Sequence, residues 1–480
     1  MITRRQAVGT LLGGAVAWGN PEPGTRQATG VKIGEVTPDS AVIWTRRTAS
    51  AGRLADGILR RAAGKDAKAP APGEDVNRFE GACPGGRGYA RLVVEPVSGR
   101  GGKRTFDWVE VSPEHDYIHQ FRVSGLQPNT EYRFAADTRE ARGKREDSPL
   151  TGRFRTAPVA ASNAPIHFAL ISCQKYSQTD RRDGFHIYES LERMKPDFFV
   201  SCGDNVYYDS DDPVVNSATV ARYHWHRMYS MATLHSALRN IPGYWQKDDH
   251  DAYSDDCYPG LQTAKMAPFQ FPEGQRLFRE QIPAPANDRP MYRRFRWGSQ
   301  VEIWLPDSRD YRTPNPEPDG PNKTVWGPEQ KRWLEETLAN STARWKLVIN
   351  PNPVIGPDHG RKRDNHANPT FATEGREFRH WLKANVDGSV ILMNGDRHWQ
   401  YHSVDPETGL SEFGCGAASD SHSIMPSGGE DKRYHRFLRA KGGFVTVRVN
   451  PSKPDEPLLL QHHDVHGNVV YRSVFGKRQG

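Results

Sequence analysis

A chain of 480 residues exceeds what a single hydrophobic core usually organises, so two domains are expected. With 36% hydrophobic residues, a mean hydropathy of -0.76 and no apolar run near the roughly 20 residues that cross a bilayer, the composition excludes a helical membrane protein. Aromatics at 10% exclude a largely disordered chain, and a net charge of +7 suits an anionic partner. The basic residues are scattered among 58 acids, so nucleic acid is not expected as a partner except as a substrate.

At the N-terminus, Arg4-Arg5 precede a short, Gly-rich apolar stretch from Ala7 to Ala17, ending in the small-residue pattern Ala15-x-Ala17. That is the layout of a secretory signal, and the paired arginines resemble a twin-arginine signal. Residues 1–28 are therefore expected to be a twin-arginine-type signal peptide and spacer, the export machinery a partner, and the mature protein a periplasmic or secreted monomer. Five cysteines without C-x-x-C spacing point to neither a zinc ribbon nor a disulfide framework. At least one needs a role other than intrachain pairing.

From Val31 the pattern is short and strand-like: Ser40 to Arg46 alternates around Trp44, and Tyr117 to Val123 alternates again. Leu126-Gln127-Pro128-Asn129-Thr130-Glu131-Tyr132 resembles the tyrosine corner of fibronectin type III-like sandwiches. Residues 29–157 are read as such a β-sandwich, with Trp44 as its core tryptophan. Beyond Pro158, strands at 167–172, 198–201, 301–305, 345–349 and 390–393 alternate with helices, including one long helix near 217–239 and one opened by Pro328. This rhythm implies an α/β domain over residues 158–480. His462, His463 and His466 are expected at the surface, and the basic loop Gly360-Arg361-Lys362-Arg363 at the border of a cleft or simply in solvent.

The chemistry lies just past the end of each strand. Ser172 leads to Cys173-Gln174, and Cys202 to Gly203-Asp204-Asn205-Val206-Tyr207. Gln246 leads to Asp248-Asp249-His250-Asp251, with Asp255-Asp256 just after. Pro306 leads to Asp307-Ser308-Arg309, and Asn394 to Gly395-Asp396-Arg397-His398. Ligands of open α/β sheets bind beyond the carboxyl ends of strands, and here that edge carries metal-type donors five times over.

Ser172-Cys173-Gln174, Gly203-Asp204-x-x-Tyr207, Asp248 to Asp251, Asp307-x-Arg309-x-x-Arg312 and Gly395-Asp396-x-His398 together resemble the PhoD-like alkaline phosphatase and phosphodiesterase family. The resemblance implies a four-layer metallophosphoesterase sandwich of two mixed sheets flanked by helices, behind the fibronectin-like domain. It also implies hydrolysis of small phosphate esters for phosphate acquisition, by attack of a metal-bound hydroxide, with Fe3+ and Ca2+ as cofactors. The iron would be held by Cys173, Asp204, Tyr207 and His398, whose thiolate, carboxylate and phenolate suit a trivalent cation. Asp204 would bridge to calcium, with Asp396 and Asp255 completing an oxygen shell and Asp249 near it.

Arg309 is expected to clamp phosphate or to pair with Asp307. His250 would protonate the leaving group or orient Asp249, and Asn352 would touch phosphate or be a loop residue. The alternative reading is a catalytically degenerate exported protein that binds phosphate or polyanions. A sulfatase is excluded because Cys173 is followed by Gln174-Lys175-Tyr176 rather than Pro and Arg.

Overall fold

The computed structural model describes residues 24–98, 101–386, 389–453 and 455–476. The twin-arginine segment thus falls mainly outside the described residues. Among them no helix is long and apolar enough to cross a membrane.

Two large mixed sheets form the centre. The first has nine strands, and its middle holds the parallel trio Ile166–Ile171, Phe198–Cys202 and Gly243–Gln246. The second has seven, with Val301–Leu305, Trp345–Asn350 and Val390–Asn394 parallel at its middle. All six of these strands are buried along nearly their whole length, since helices or loops cover the faces that do not meet the opposite sheet. Residues such as Phe168, Val200, Leu347 and Met393 fill the space between the sheets. The parallel strands of both sheets carry the motifs at their carboxyl ends, and this is the four-layer arrangement that the family resemblance implies.

The N-terminal unit is β-rich, as expected, but its strands divide between sheets. Gly88–Pro96, Glu131–Arg139, Leu150–Arg155 and two short strands make a five-stranded sheet. Val31–Gly34, Ser40–Arg46 and Ile118–Ser124 instead extend the nine-stranded sheet, joined through Gly34 beside Gly243. The tyrosine corner is present: the Tyr132 hydroxyl accepts the Gln127 N–H at 2.8 Å. Trp44 corrects the sequence reading. It is fully buried, yet its indole donates to the Glu280 carbonyl (2.8 Å) and Lys32 Nζ lies 3.6 Å above its ring. The strand alternates, so Ala41 and Ile43 enter the core while Trp44 faces the helix Phe271–Gln281.

Two further expectations need correction. The helix near 217–239 is two helices, Ala218–Tyr229 and Ala232–Leu238. The break falls at Ser230, whose hydroxyl donates back to the Arg227 carbonyl (3.3 Å) and competes with the helical ladder. His462 and His463 are buried, because the nine-stranded sheet continues through Leu458–His463 under cover; the His462 imidazole bonds the Gly414 carbonyl at 3.0 Å.

A buried ionic knot ties the N-terminal unit to the helices. Asp116 accepts from Arg46 (2.9 Å), His226 (2.5 Å) and Gln281 (2.8 Å). Burial opposes its charge, but Arg46 and His226 hold the carboxyl well below the usual range. Removing one member leaves an uncompensated buried charge. Asp116→Ala is expected to lower unfolding free energy by about 3–5 kcal/mol, read from urea denaturation, without altering the residues at the strand ends.

Candidate metal centre

The two parallel trios aim their carboxyl ends into one crevice. There Cys173, Asp204 and His398 each present a ligand atom within 4.8 Å of the others, and so do Asp204, Asp249 and His250. Asp249, Asp255 and Asp256 make a third such group. Three segments far apart in sequence thus share Asp204, and Asp249 links the second group to the third.

The backbone is bent to achieve this. Cys173, Asp204 and Asp396 have φ of 54°, 55° and 60°. Asp tolerates the left-handed region through local hydrogen bonds, but Cys has no such help, and each position stores roughly 1–3 kcal/mol of strain. Gly395 is required beside them, since a Cβ there would lie 2.2 Å from Ser172 Oγ.

The Tyr207 hydroxyl donates to Asp204 Oδ2 (3.0 Å) and lies 3.5 Å from His398 Nε2; Cys173 Sγ is 3.5 Å from the same Asp204 oxygen. Burial, then Asp204, pushes the Cys173 thiol and the Tyr207 phenol well up. Burial and Asp249 push the Asp204 carboxyl up, while burial and Arg397 hold His398 neutral with a free lone pair. Asp204 Oδ1 is buried without a hydrogen-bond partner, and among the described residues no lysine or arginine pairs with this carboxylate. A crowded set of buried acids with an orphaned oxygen fits a resident cation, which would restore the anionic forms and satisfy that oxygen.

Other expected residues are placed differently. Arg309 is wholly buried and faces inward, and each of its nitrogens is committed. Nε donates to Asp248 (2.6 Å), one terminal nitrogen to the Cys257 carbonyl (3.3 Å) and the other to Asp364 (3.0 Å). This arrangement leaves no fork for phosphate, and Asp307 pairs with Lys247 instead of Arg309. The turn explains the direction: Asp307 Oδ1 accepts the Arg309 N–H (2.9 Å) and aims the side chain at Asp248.

Asn352 is also buried, with Nδ2 on both Asp248 oxygens (2.9 and 3.0 Å) and 3.4 Å from Asp396; its Oδ1 has no partner. It therefore sits among the acids rather than on the cleft wall. Asp396 pairs with Arg397. Burial raises it to about 6 against the pull of Arg397. Asp255 is not with Asp396: its side chain is 63% exposed and pairs with Lys362 at 3.0 Å.

His250 faces the cleft, its Nδ1 2.6 Å from Asp209. Burial opposes its protonation, but Asp209, Asp249 and Asp204 raise its pKa well above the ordinary value. The cleft, about 590 Å³, is lined by Lys65, Lys175, Tyr207, His250, His398 and His422. His422 was missed from the sequence. It lies several positions past the strand Ser411–Cys415, on a single turn, Asp420–His422, yet its Nε2 is 2.8 Å from the Tyr207 hydroxyl and its ring 3.9 Å from that of His398.

Known proteins resemble this chain. The sequence profile described as "PhoD-like phosphatase" matches residues 168–440, and that of the "PhoD-like phosphatase, N-terminal domain" matches residues 15–158. The chain belongs to the PhoD-like phosphatase family. It is a phosphoester hydrolase of the metallophosphoesterase type, and its family implies a metal cofactor.

"Alkaline phosphatase D" of Bacillus subtilis (strain 168) is 24% identical over 440 residues, spanning 76% of this chain and 73% of that protein. The solved structure titled "Structure of PhoD" superposes with a TM-score of 0.70 at 18% identity, covering 95% of this chain and 90% of the other. The purple acid phosphatase PPD1 from yellow lupin seeds superposes at 0.60 and 14% identity, covering 92% and 73%. At these identities the superpositions speak for the fold alone.

Arg309 thus holds Asp248 and Asp364 in place beneath the centre. Arg309→Met keeps the bulk but leaves both carboxylates buried and unpaired. Thermal or urea denaturation is expected to show a loss of about 3–5 kcal/mol, with hydrolysis falling through misplacement of Asn352 and Asp249 rather than through KM alone.

Proposed function

We propose that this protein is an exported alkaline phosphatase and phosphodiesterase that releases phosphate from small phosphate esters for phosphate acquisition. The observation that carries the reading is Asp204: a buried carboxylate shared by two ligand groups, with one oxygen unpartnered, behind Tyr207 in the wall of a lysine-rimmed cleft. Cys173, Asp204, Tyr207 and His398 would hold Fe3+, because one thiolate, one phenolate and one carboxylate balance a trivalent charge beside a neutral imidazole. Asp204, Asp249, Asp396 and the free Asn352 Oδ1 offer oxygens of the kind that Ca2+ takes. When bound, such cations acidify water and neutralise phosphoryl oxygens.

The chain's own groups do the rest. Lys175 Nζ lies 4.8 Å over the Tyr207 ring and donates to Ser210 (3.0 Å), so its charge stands at the mouth where an anionic ester enters. His250, tied through Nδ1 to Asp209, turns Nε2 towards the cleft and can deliver a proton to the departing alkoxide. Arg397 and Arg309 keep Asp396 and Asp248 from drifting as charge moves. Export through the twin-arginine machinery as a folded monomer rests on Arg4-Arg5 and the apolar stretch after them.

Two measurements test the reading. Purified protein should carry iron and calcium by elemental analysis, hydrolyse both phosphomonoesters and phosphodiesters, and show a visible charge-transfer band that disappears in the Cys173→Ala/Tyr207→Phe double variant. A colourless, iron-free enzyme at full activity would remove iron from the assignment. Asp204→Asn should cut kcat at least a hundredfold while stabilising the chelated protein by about 1 kcal/mol. The Asp204 pKa is raised in the folded state, so at neutral pH its charge works against folding, and a neutral amide removes that penalty. Wild-type turnover in Asp204→Asn would count against the whole centre.

A further inference from the structure

The two acid groups that meet at Asp249 are supplied with positive charge differently. The inner one, Asp204–Asp249–His250, has no lysine or arginine on Asp204 among the described residues. In the outer one, Asp249, Asp255 and Asp256 bring carboxylate oxygens within 4.8 Å of one another, and the Asp256 N–H donates to Asp249 Oδ2 at 2.7 Å. Into that outer group the chain inserts an ammonium of its own. Lys362 Nζ donates to Asp255 Oδ1 (3.0 Å) and to Asp256 Oδ1 (2.5 Å).

The placement is built rather than incidental. The loop bearing Lys362 is pinned on both sides: Asp358 accepts from Arg397 (2.7 Å) and Asn365 (2.7 Å), and Asp364 accepts from Arg309 (3.0 Å). The Lys362 side chain is 24% exposed, against 63% for Asp255, so the lysine is the more withdrawn of the two from solvent.

We propose that Lys362 is a covalently tethered cation that takes the outer position of this carboxylate cluster, where a divalent ion would otherwise bind. Three carboxylates can offer up to about six oxygens, a set suited to Ca2+, and an ammonium supplies one charge and three N–H donors in its place. The chain then needs one divalent ion fewer, and the outer half of its site is insensitive to chelation. The inference rests on the proposed metal centre for the inner group only, and its test reads no turnover.

The test counts calcium by equilibrium dialysis and elemental analysis on full-length protein stripped with chelator and returned to millimolar calcium. Lys362→Met should bind one more calcium per chain than wild type, and its Tm should rise with added calcium by several degrees more. Adding Asp256→Asn to that variant should abolish the extra ion. Should Lys362→Met fail to fold, Asp255→Asn/Asp256→Asn in the wild-type background decides: calcium per chain should stay unchanged. Equal calcium in wild type and Lys362→Met, or loss of one ion in Asp255→Asn/Asp256→Asn, would overturn the proposal. A wild type that binds no divalent ion, beside a Lys362→Met that binds one, would count against the hydrolytic centre and leave the tethered cation standing.

Discussion

Everything around the crevice answers one problem, the concentration of negative charge in a place with little water. Asp204, Asp248, Asp249, Asp251 and Asp396 are all buried, and each is costly as an isolated anion. The structure meets that cost in two ways. Outward from the centre it supplies fixed cations: Arg309 to Asp248 and Asp364, Arg397 to Asp396 and Asp358, Lys362 to Asp255 and Asp256. At the centre itself, no lysine or arginine pairs with Asp204 among the described residues, and one of its oxygens stays unpartnered.

The fold makes such a concentration possible by geometry. Parallel strands from both sheets end at one crevice, so each contributes the one or two residues just past its last ladder position. Those residues leave extended backbone abruptly, and Cys173, Asp204 and Asp396 do so through left-handed conformations. Strained turns of this kind persist only when the surroundings over-determine them. The intersheet core below, from Phe168 and Val200 to Leu347 and Met393, supplies that support.

This explains which parts were legible in the sequence. Cys173, Asp204, Asp249, Asp396 and His398 each follow directly on an apolar strand or lie within a few residues of one, so local pattern and ligand chemistry coincide. An α/β domain could be read from strands alternating with helices, while the two-sheet arrangement came only from the resemblance to the PhoD-like family. Direction could not be read. Arg309 has the right type and spacing for a phosphate clamp, but whether its fork faces cleft or core depends on Asp248 and Asp364, 61 and 55 positions away. Asn352 read as a phosphate contact or a loop residue for the same reason. His422 lies several positions past the strand Ser411–Cys415, on a three-residue turn that only tertiary packing brings against Tyr207. Trp44 was recognised as buried, yet which face buries it depended on a helix more than 200 residues later.

The sharing of a sheet between the N-terminal unit and the catalytic layers adds a functional consequence. The excursion between Arg47 and Gly88 leaves that unit, and its Gly64 N–H donates to the Ser210 carbonyl at 2.8 Å, which brings Lys65 to the cleft wall. Lys265 in turn donates to the Gly64 carbonyl (3.2 Å), so the two lysines are held by one turn. The positive rim that faces an incoming anion is therefore built from both units, while the acids beneath come from the catalytic layers alone. The buried Arg46–Asp116–His226 knot, which fixes the N-terminal unit against the helices, sets the position of that rim as well as the stability of the fold.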